Sequence, residues 1–109
     1  MEYVTLAKTA DFKDTNKIRV THGKKEIMIA RIGGEYYAIS NTCPHMGGSL
    51  VQGKLEGYNI VCPVHGSVFD IRDGKVVGKG KLFLMQVKVG DVAAYPVKAD
   101  GEDILVGVE

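Results

Sequence analysis

The dominant period of apolar positions along this chain is two. In Glu26-Ile27-Met28-Ile29-Ala30-Arg31-Ile32, Ile27 and Ile29 share one face with Arg31, and Met28, Ala30 and Ile32 share the other. Successive side chains of a strand point to opposite faces. Neither face here is strongly polar, so the pattern predicts a strand buried on both sides. Gly33-Gly34 then turns the chain into Glu35-Tyr36-Tyr37-Ala38-Ile39, which predicts a hairpin. Further short runs predict strands at Tyr3–Ala7, Ile18–Thr21, Tyr58–Cys62, Val68–Ile71, Lys75–Val77, Leu84–Val89, Val92–Val97 and Ile104–Val108. Asp73-Gly74, Gly90-Asp91 and Asp100-Gly101 supply turns between them. No segment carries a long helical period, and Ala10–Asn16 predicts one helical turn at most. Regularly spaced short strands with Gly-bearing turns predict an all-β fold, an antiparallel sandwich or barrel. The segment Asn41–Gly57 is rich in glycine and shows no strong strand pattern. An irregular stretch of this length inside a compact chain is usually functional.

Composition bounds the answer without naming a function. The chain has 109 residues, the size of one ordinary domain, so residues 1–109 are read as one domain. Hydrophobic residues make up 45% and charged residues 25%, as in a globular domain with its own core. A formal net charge of +1 lacks the concentrated basic footprint of a nucleic-acid binder. No run approaches the ~18 apolar residues of a membrane span, and Met1–Ala10 alternates and carries Glu2 and Lys8 instead of a signal-peptide core. The expectation is a soluble, monomeric, cytoplasmic protein with no nucleic-acid or membrane partner.

The chemistry concentrates in two short arms. Cys43-Pro44-His45 and Cys62-Pro63-Val64-His65 each pair a thiol with an imidazole, and sixteen residues separate His45 from Cys62. Each arm falls where a predicted strand runs into a loop, so two loops can converge on one metal centre. Both cysteines of the chain are then committed to metal and none is left for a disulfide, in keeping with a reducing compartment. Three other readings compete. Unrelated buried cysteines and loop histidines would be ordinary, but they explain neither the paired spacing nor the proline after each cysteine. Zinc accepts two Cys and two His, although zinc modules commonly put both cysteines on one arm. A Cys–His nucleophilic pair would need only one such arm.

Cys-x-His followed by Cys-x-x-His at this spacing resembles the Rieske pattern. The flanks Cys43-Pro-His-Met-Gly-Gly-Ser-Leu50, Cys62-Pro-Val-His-Gly-Ser-Val-Phe-Asp70 and Asp73-Gly74-Lys75 resemble it too. The chain is similar over nearly its whole length to the Rieske-type ferredoxins of ring-hydroxylating oxygenase systems, and to the small subunit of assimilatory nitrite reductase. The resemblance implies a Rieske fold, with a β-sandwich base and a small cluster-binding subdomain of two loops at approximately residues 40–78. It implies one 2Fe–2S cluster, with Cys43 and Cys62 on the inner iron and His45 and His65 on the outer. It implies a one-electron carrier, not an enzyme, between a ferredoxin reductase and a terminal oxygenase. The alternatives are a nitrite reductase small subunit and a zinc-stabilised structural module.

Replacing two thiolates by neutral imidazoles removes two negative charges from a cluster. That lifts the potential to roughly −150 to +300 mV, against about −400 mV for plant-type ferredoxins. Neighbouring groups tune it further. Ser67 stands where respiratory Rieske proteins use a serine hydroxyl towards a cluster sulfur, and Phe69 stands where they use a tyrosine. Their extra loop cysteines are replaced here by Gly48 (or its neighbour) and Val64. The expectation is a potential in the lower half of the Rieske range. Gly47 and Gly66 allow tight turns beside the cluster. Met46 is either a docking contact or a loop filler. Lys75, Lys79 and Lys81 form a basic group that either faces solvent or docks an acidic partner. The proline common after the second arm in the family is missing from Gly78–Met85.

Overall fold

The structure is a computed structural model. It describes residues 2–44, 47–64, 66–78 and 90–108. His45, Met46, His65, Lys79, Lys81 and the strand predicted at Leu84–Val89 lie outside the described residues.

The strand-forming runs found in the sequence become β1 (Glu2–Lys8), β2 (Lys17–His22), β3 (Lys25–Ile32) and β4 (Glu35–Ser40). They are followed by β5 (Lys54–Glu56), β6 (Asn59–Val61), β7 (Val68–Asp70) and β8 (Val76–Gly78). The chain ends with β9 (Ala94–Tyr95), β10 (Val97–Asp100) and β11 (Asp103–Val108). They build three antiparallel sheets, ordered β1-β11-β10, β2-β3-β4-β9 and β5-β6-β7-β8. The all-β expectation holds. Among the described residues, no helix is long and apolar enough to cross a membrane.

The central sheet explains the two-faced pattern of the sequence. On β3, Ile27 and Ile29 enter one core with Ala38, Ile104, Val106 and Val108. Met28 and Ala30 enter a second core with Ile39, Leu50, Ile60, Phe69 and Ile71. All four central residues of β3 are 0% exposed. The sheet β2-β3-β4-β9 is therefore a middle layer, covered on one face by β1-β11-β10 and on the other by β5-β6-β7-β8.

Three expectations are corrected. The stretch Asn41–Gly57 is not irregular throughout. It contains a β-bridge between Thr42 and Ser49, a 3-10 turn at Leu50–Gln52 and strand β5. The run Val92–Val97 is not one strand. Pro96 divides it, and the pieces join different sheets, β9 pairing with β4 and β10 with β11. Proline has no N–H to give a ladder, but its carbonyl accepts from the Gly107 N–H at 2.8 Å, which fixes the crossing point. The single helical turn lies at Thr9–Phe12, ahead of the predicted place, because Phe12 drops into the Ile27–Ile29 core.

Candidate metal centre

Both sequence-predicted cysteines sit in loops that close in the same way. The first loop, residues 43–48, is framed by the Thr42–Ser49 bridge. The second, residues 62–67, is framed by the pairing of Val61 with Val68 in the β6–β7 hairpin. The Cys43 N–H donates to the Gly48 carbonyl at 2.8 Å, and the Cys43 carbonyl accepts from the Gly47 N–H at 2.9 Å. The Cys62 N–H donates to the Ser67 carbonyl at 2.7 Å, and the Cys62 carbonyl accepts from the Gly66 N–H at 2.9 Å. Gly47 and Gly66 occupy the same place in the two frames, with φ of 69° and 78°. That left-handed conformation is what glycine supplies without steric cost.

The two thiols rest on apolar packing. Cys43 and Cys62 are each 2% exposed and belong to the same core as Ile39, Leu50, Ile60, Phe69 and Ile71. Phe69 lies opposite Ile60 in the β6–β7 ladder, and both are 0% exposed. Around the thiols the loop crowns are open: Pro44 and Pro63 are exposed, and Val64 is 45% exposed. The structure thus brings Cys43, Cys62, Phe69, Ser67, Gly47 and Gly66 into one region. His45 and His65 are the third residue of the first loop and the fourth of the second by sequence, outside the described residues.

One buried polar group fits a bound centre. Ser67 is 2% exposed, and among the described residues its hydroxyl has no hydrogen-bond partner. Two buried thiols, a hydroxyl able to donate and an apolar surround suit a sulfur-rich group held by soft ligands.

Sequence reasoning missed Asn41. It is 1% exposed and ties the first loop to the central sheet. Its N–H donates to the Glu26 carbonyl at 2.9 Å and its carbonyl accepts from the Leu50 N–H at 2.7 Å. Its Nδ2 donates to Ser49 Oγ at 2.8 Å, and its Oδ1 accepts from the Val51 N–H at 2.8 Å. The sequence signal was an Asn at a strand end two residues ahead of Cys43, where a side-chain amide can replace ladder bonds.

Behind the second loop, Asp70 and Arg72 form an ion pair. Arg72 Nη2 and Nε donate to the Asp70 carboxylate at 2.8 and 3.0 Å. The Arg72 guanidinium, with its backbone N–H, holds the Asp70 carboxyl below the usual carboxylate range against the opposing effect of burial. The guanidinium also lies 4.3 Å from the Tyr58 ring centre, and Tyr58 meets Tyr37 edge-on at 5.8 Å. This stack ties the β6–β7 hairpin to β4.

A family model described as "Rieske [2Fe-2S] domain" matches residues 2–96. The ferredoxin component of biphenyl 2,3-dioxygenase from Rhodococcus jostii is 28% identical over 109 residues, covering 100% of this chain and 95% of the relative. The ferredoxin component of the naphthalene 1,2-dioxygenase/salicylate 5-hydroxylase systems from a Ralstonia species is 30% identical, covering 98% and 96%. The ferredoxin of carbazole 1,9a-dioxygenase from Nocardioides aromaticivorans superposes with a TM-score of 0.84 at 31% identity, covering 100% of both chains.

Proposed function

The chain belongs to the Rieske [2Fe-2S] domain family, and on that premise we propose that it is a ferredoxin that carries single electrons from a ferredoxin reductase to a terminal oxygenase. The relatives reported above are ferredoxin components of oxygenase systems over nearly their full length, which favours a carrier over a nitrite reductase subunit or a zinc module. Bond-changing chemistry on an organic substrate belongs to the oxygenase and not to this chain.

The ligands we assign are Cys43 and Cys62 on one iron and His45 and His65 on the other. When bound, a Rieske 2Fe–2S cluster accepts and returns one electron. The observation that carries the assignment is the pair of identically closed loops, each placing a buried cysteine at its first position. The loops act on those side chains in definite ways. Burial of Cys43 and Cys62 keeps water from the thiolates. Ser67 offers its hydroxyl as a donor, whereas Phe69 offers none at its position. The backbone bonds at Gly47, Gly48, Gly66 and Ser67 brace both loops, and such bracing limits rearrangement when the charge changes. Residues 1–109 act as one domain, with the cluster-binding part at approximately 40–78. We place the protein, as a monomer, in a reducing cytoplasm, where both thiols remain available for metal.

The test is chemical analysis of the purified protein, followed by electron paramagnetic resonance of its reduced form. About two irons and two acid-labile sulfides per chain are expected, with a g-tensor distinct from that of a four-cysteine cluster. His65→Ala is expected to lose the intact cluster. One zinc and no sulfide would overturn the reading. Obligate co-purification with a sirohaem protein would replace the oxygenase role with the nitrite reductase one.

A further inference from the structure

The two loops meet at Gly48 and Val64. A Cβ placed on Gly48 would lie 2.5 Å from Val64 Cγ2, 3.2 Å from Cys62 Sγ and 3.5 Å from Val64 Cβ. The first distance is far inside van der Waals contact, so a larger residue fits only if Val64 turns its side chain or the loops move apart. The backbone is not the reason for glycine at this position. Gly48 is not among the residues with positive φ, whereas Gly47 has φ of 69° and no atom within 4 Å of a Cβ. Gly48 is small because of what it touches; Gly47 is glycine because of how it bends.

Gly48 also reaches the other cysteine. Its carbonyl accepts the Cys43 N–H at 2.8 Å. One residue therefore holds the backbone of Cys43 on one side and abuts the sulfur of Cys62 on the other. Val64 completes the contact. It is a large apolar side chain left 45% exposed, an unfavourable place for a valine unless its inner methyl group has a task. That methyl group is the atom closing on Gly48.

We propose that Gly48 and Val64 form a size-matched clasp between the two loops, and that they are positioning residues for the Cys62 thiolate. The clasp sets where Cys62 Sγ sits relative to Cys43 by contact alone. An added methyl group at residue 48 would push on Val64 and on Cys62 Sγ together, displacing a cluster ligand and not merely a loop. The inference rests on Cys62 being a ligand, as assigned above.

The experiment compares four cluster-loaded proteins: the parent, Gly48→Ala, Val64→Ala and Gly48→Ala/Val64→Ala. The readouts are iron and sulfide per chain, the rate of iron loss to a chelator, the g-tensor and the reduction potential. Gly48→Ala is expected to lose iron on the order of 10- to 100-fold faster, the usual effect of disturbing a metal site's supporting residues, with a shifted g-tensor and potential. The double variant removes Cγ2, the nearest obstacle, and is expected to recover most of the parent's retention and spectrum. Val64→Ala alone takes away the methyl group that closes on Gly48 and is expected to lose iron faster than the parent, with a shifted g-tensor. If Gly48→Ala fails to fold, recovery of a loaded protein by the added Val64→Ala still carries the proposal. A Gly48→Ala protein that matches the parent in all four readouts would overturn it, as would a double variant no better than Gly48→Ala. A parent without iron and sulfide would instead refute the cluster itself.

Discussion

Replacing Asn41 by alanine isolates what one buried amide does for the first loop. Asn41→Ala leaves both backbone bonds of residue 41 in place and removes the two made by the side chain, to Ser49 Oγ and from the Val51 N–H. The two losses differ in cost. Val51 lies in the short 3-10 turn Leu50–Gln52, whose first N–H groups have no partner within the turn. Its N–H, left unpaired in a partly buried place, costs about 1–3 kcal/mol. The Ser49 hydroxyl is half-buried and regains water, so its loss is about 0.5–1 kcal/mol. The sum is about 1.5–4 kcal/mol, which for a domain of this size lowers the melting temperature by roughly 6 °C or more. Ser49→Ala is the control. It removes one bond and leaves the Asn41 to Val51 bond intact, but strands the buried Asn41 Nδ2, and should cost about 1–3 kcal/mol. The assay is thermal melting of the loaded proteins by far-UV circular dichroism at one scan rate, with iron content measured in parallel. Because residue 41 stands just ahead of Cys43, Asn41→Ala should also lower iron retention. A drop for Asn41→Ala of under about 3 °C, or one smaller than that of Ser49→Ala, would refute the reasoning.

Two further outcomes follow from the surroundings of the site. The parent potential should lie below about +150 mV, and Phe69→Tyr should raise it by offering a hydroxyl donor beside the cysteines; redox titration showing a higher parent value, or a variant unchanged or lowered, would contradict this. Asp70 titrates below its ordinary 3.8 in the folded chain because Arg72 pairs with it, so its contribution is present above the unfolded value and is lost as pH falls through the folded one. Arg72→Gln should therefore move the midpoint of acid unfolding to higher pH, and an unmoved midpoint in an acid titration followed by circular dichroism would show the pair to be inert.

The parts of the fold that were legible in sequence are those where burial decides the pattern. Strand β3 is apolar on both faces because it lies between two cores, and Gly33-Gly34 marks its hairpin unambiguously. Strand β5 was not legible. Lys54-Leu55-Glu56 places one apolar residue between two charges, which resembles a surface loop. Among the described residues it is an edge strand, paired only to β6, and its two charged residues are exposed. The division at Pro96 could have been read, since proline is confined to strand edges, ends and bulges; the surrounding Val92, Val97 and Tyr95 outweighed it. That Cys43 and Cys62 come together in one core was legible from residue type and spacing. Asn41 was not, because its importance lies in what the chain brings to it from residues 49–51.

The likeness of the two loops changes how their spacing is understood. Cys-x-His and Cys-x-x-His look like arms of different length. In the structure the frames are the same: each cysteine N–H bonds to the carbonyl five residues on, and each cysteine carbonyl accepts from the glycine N–H four residues on. The shared sequence is Cys-Pro-x-x-Gly, and the histidine takes the third place in one loop and the fourth in the other. Loop length is thus set by the backbone, and ligand position is a choice made inside it. Val64 occupies in the second loop the place that His45 occupies in the first. The residue at that place in the second loop is the one whose methyl group closes on Gly48. Unequal spacing of the histidines and the contact between the loops are then two results of one arrangement, in which equal frames carry unequal contents.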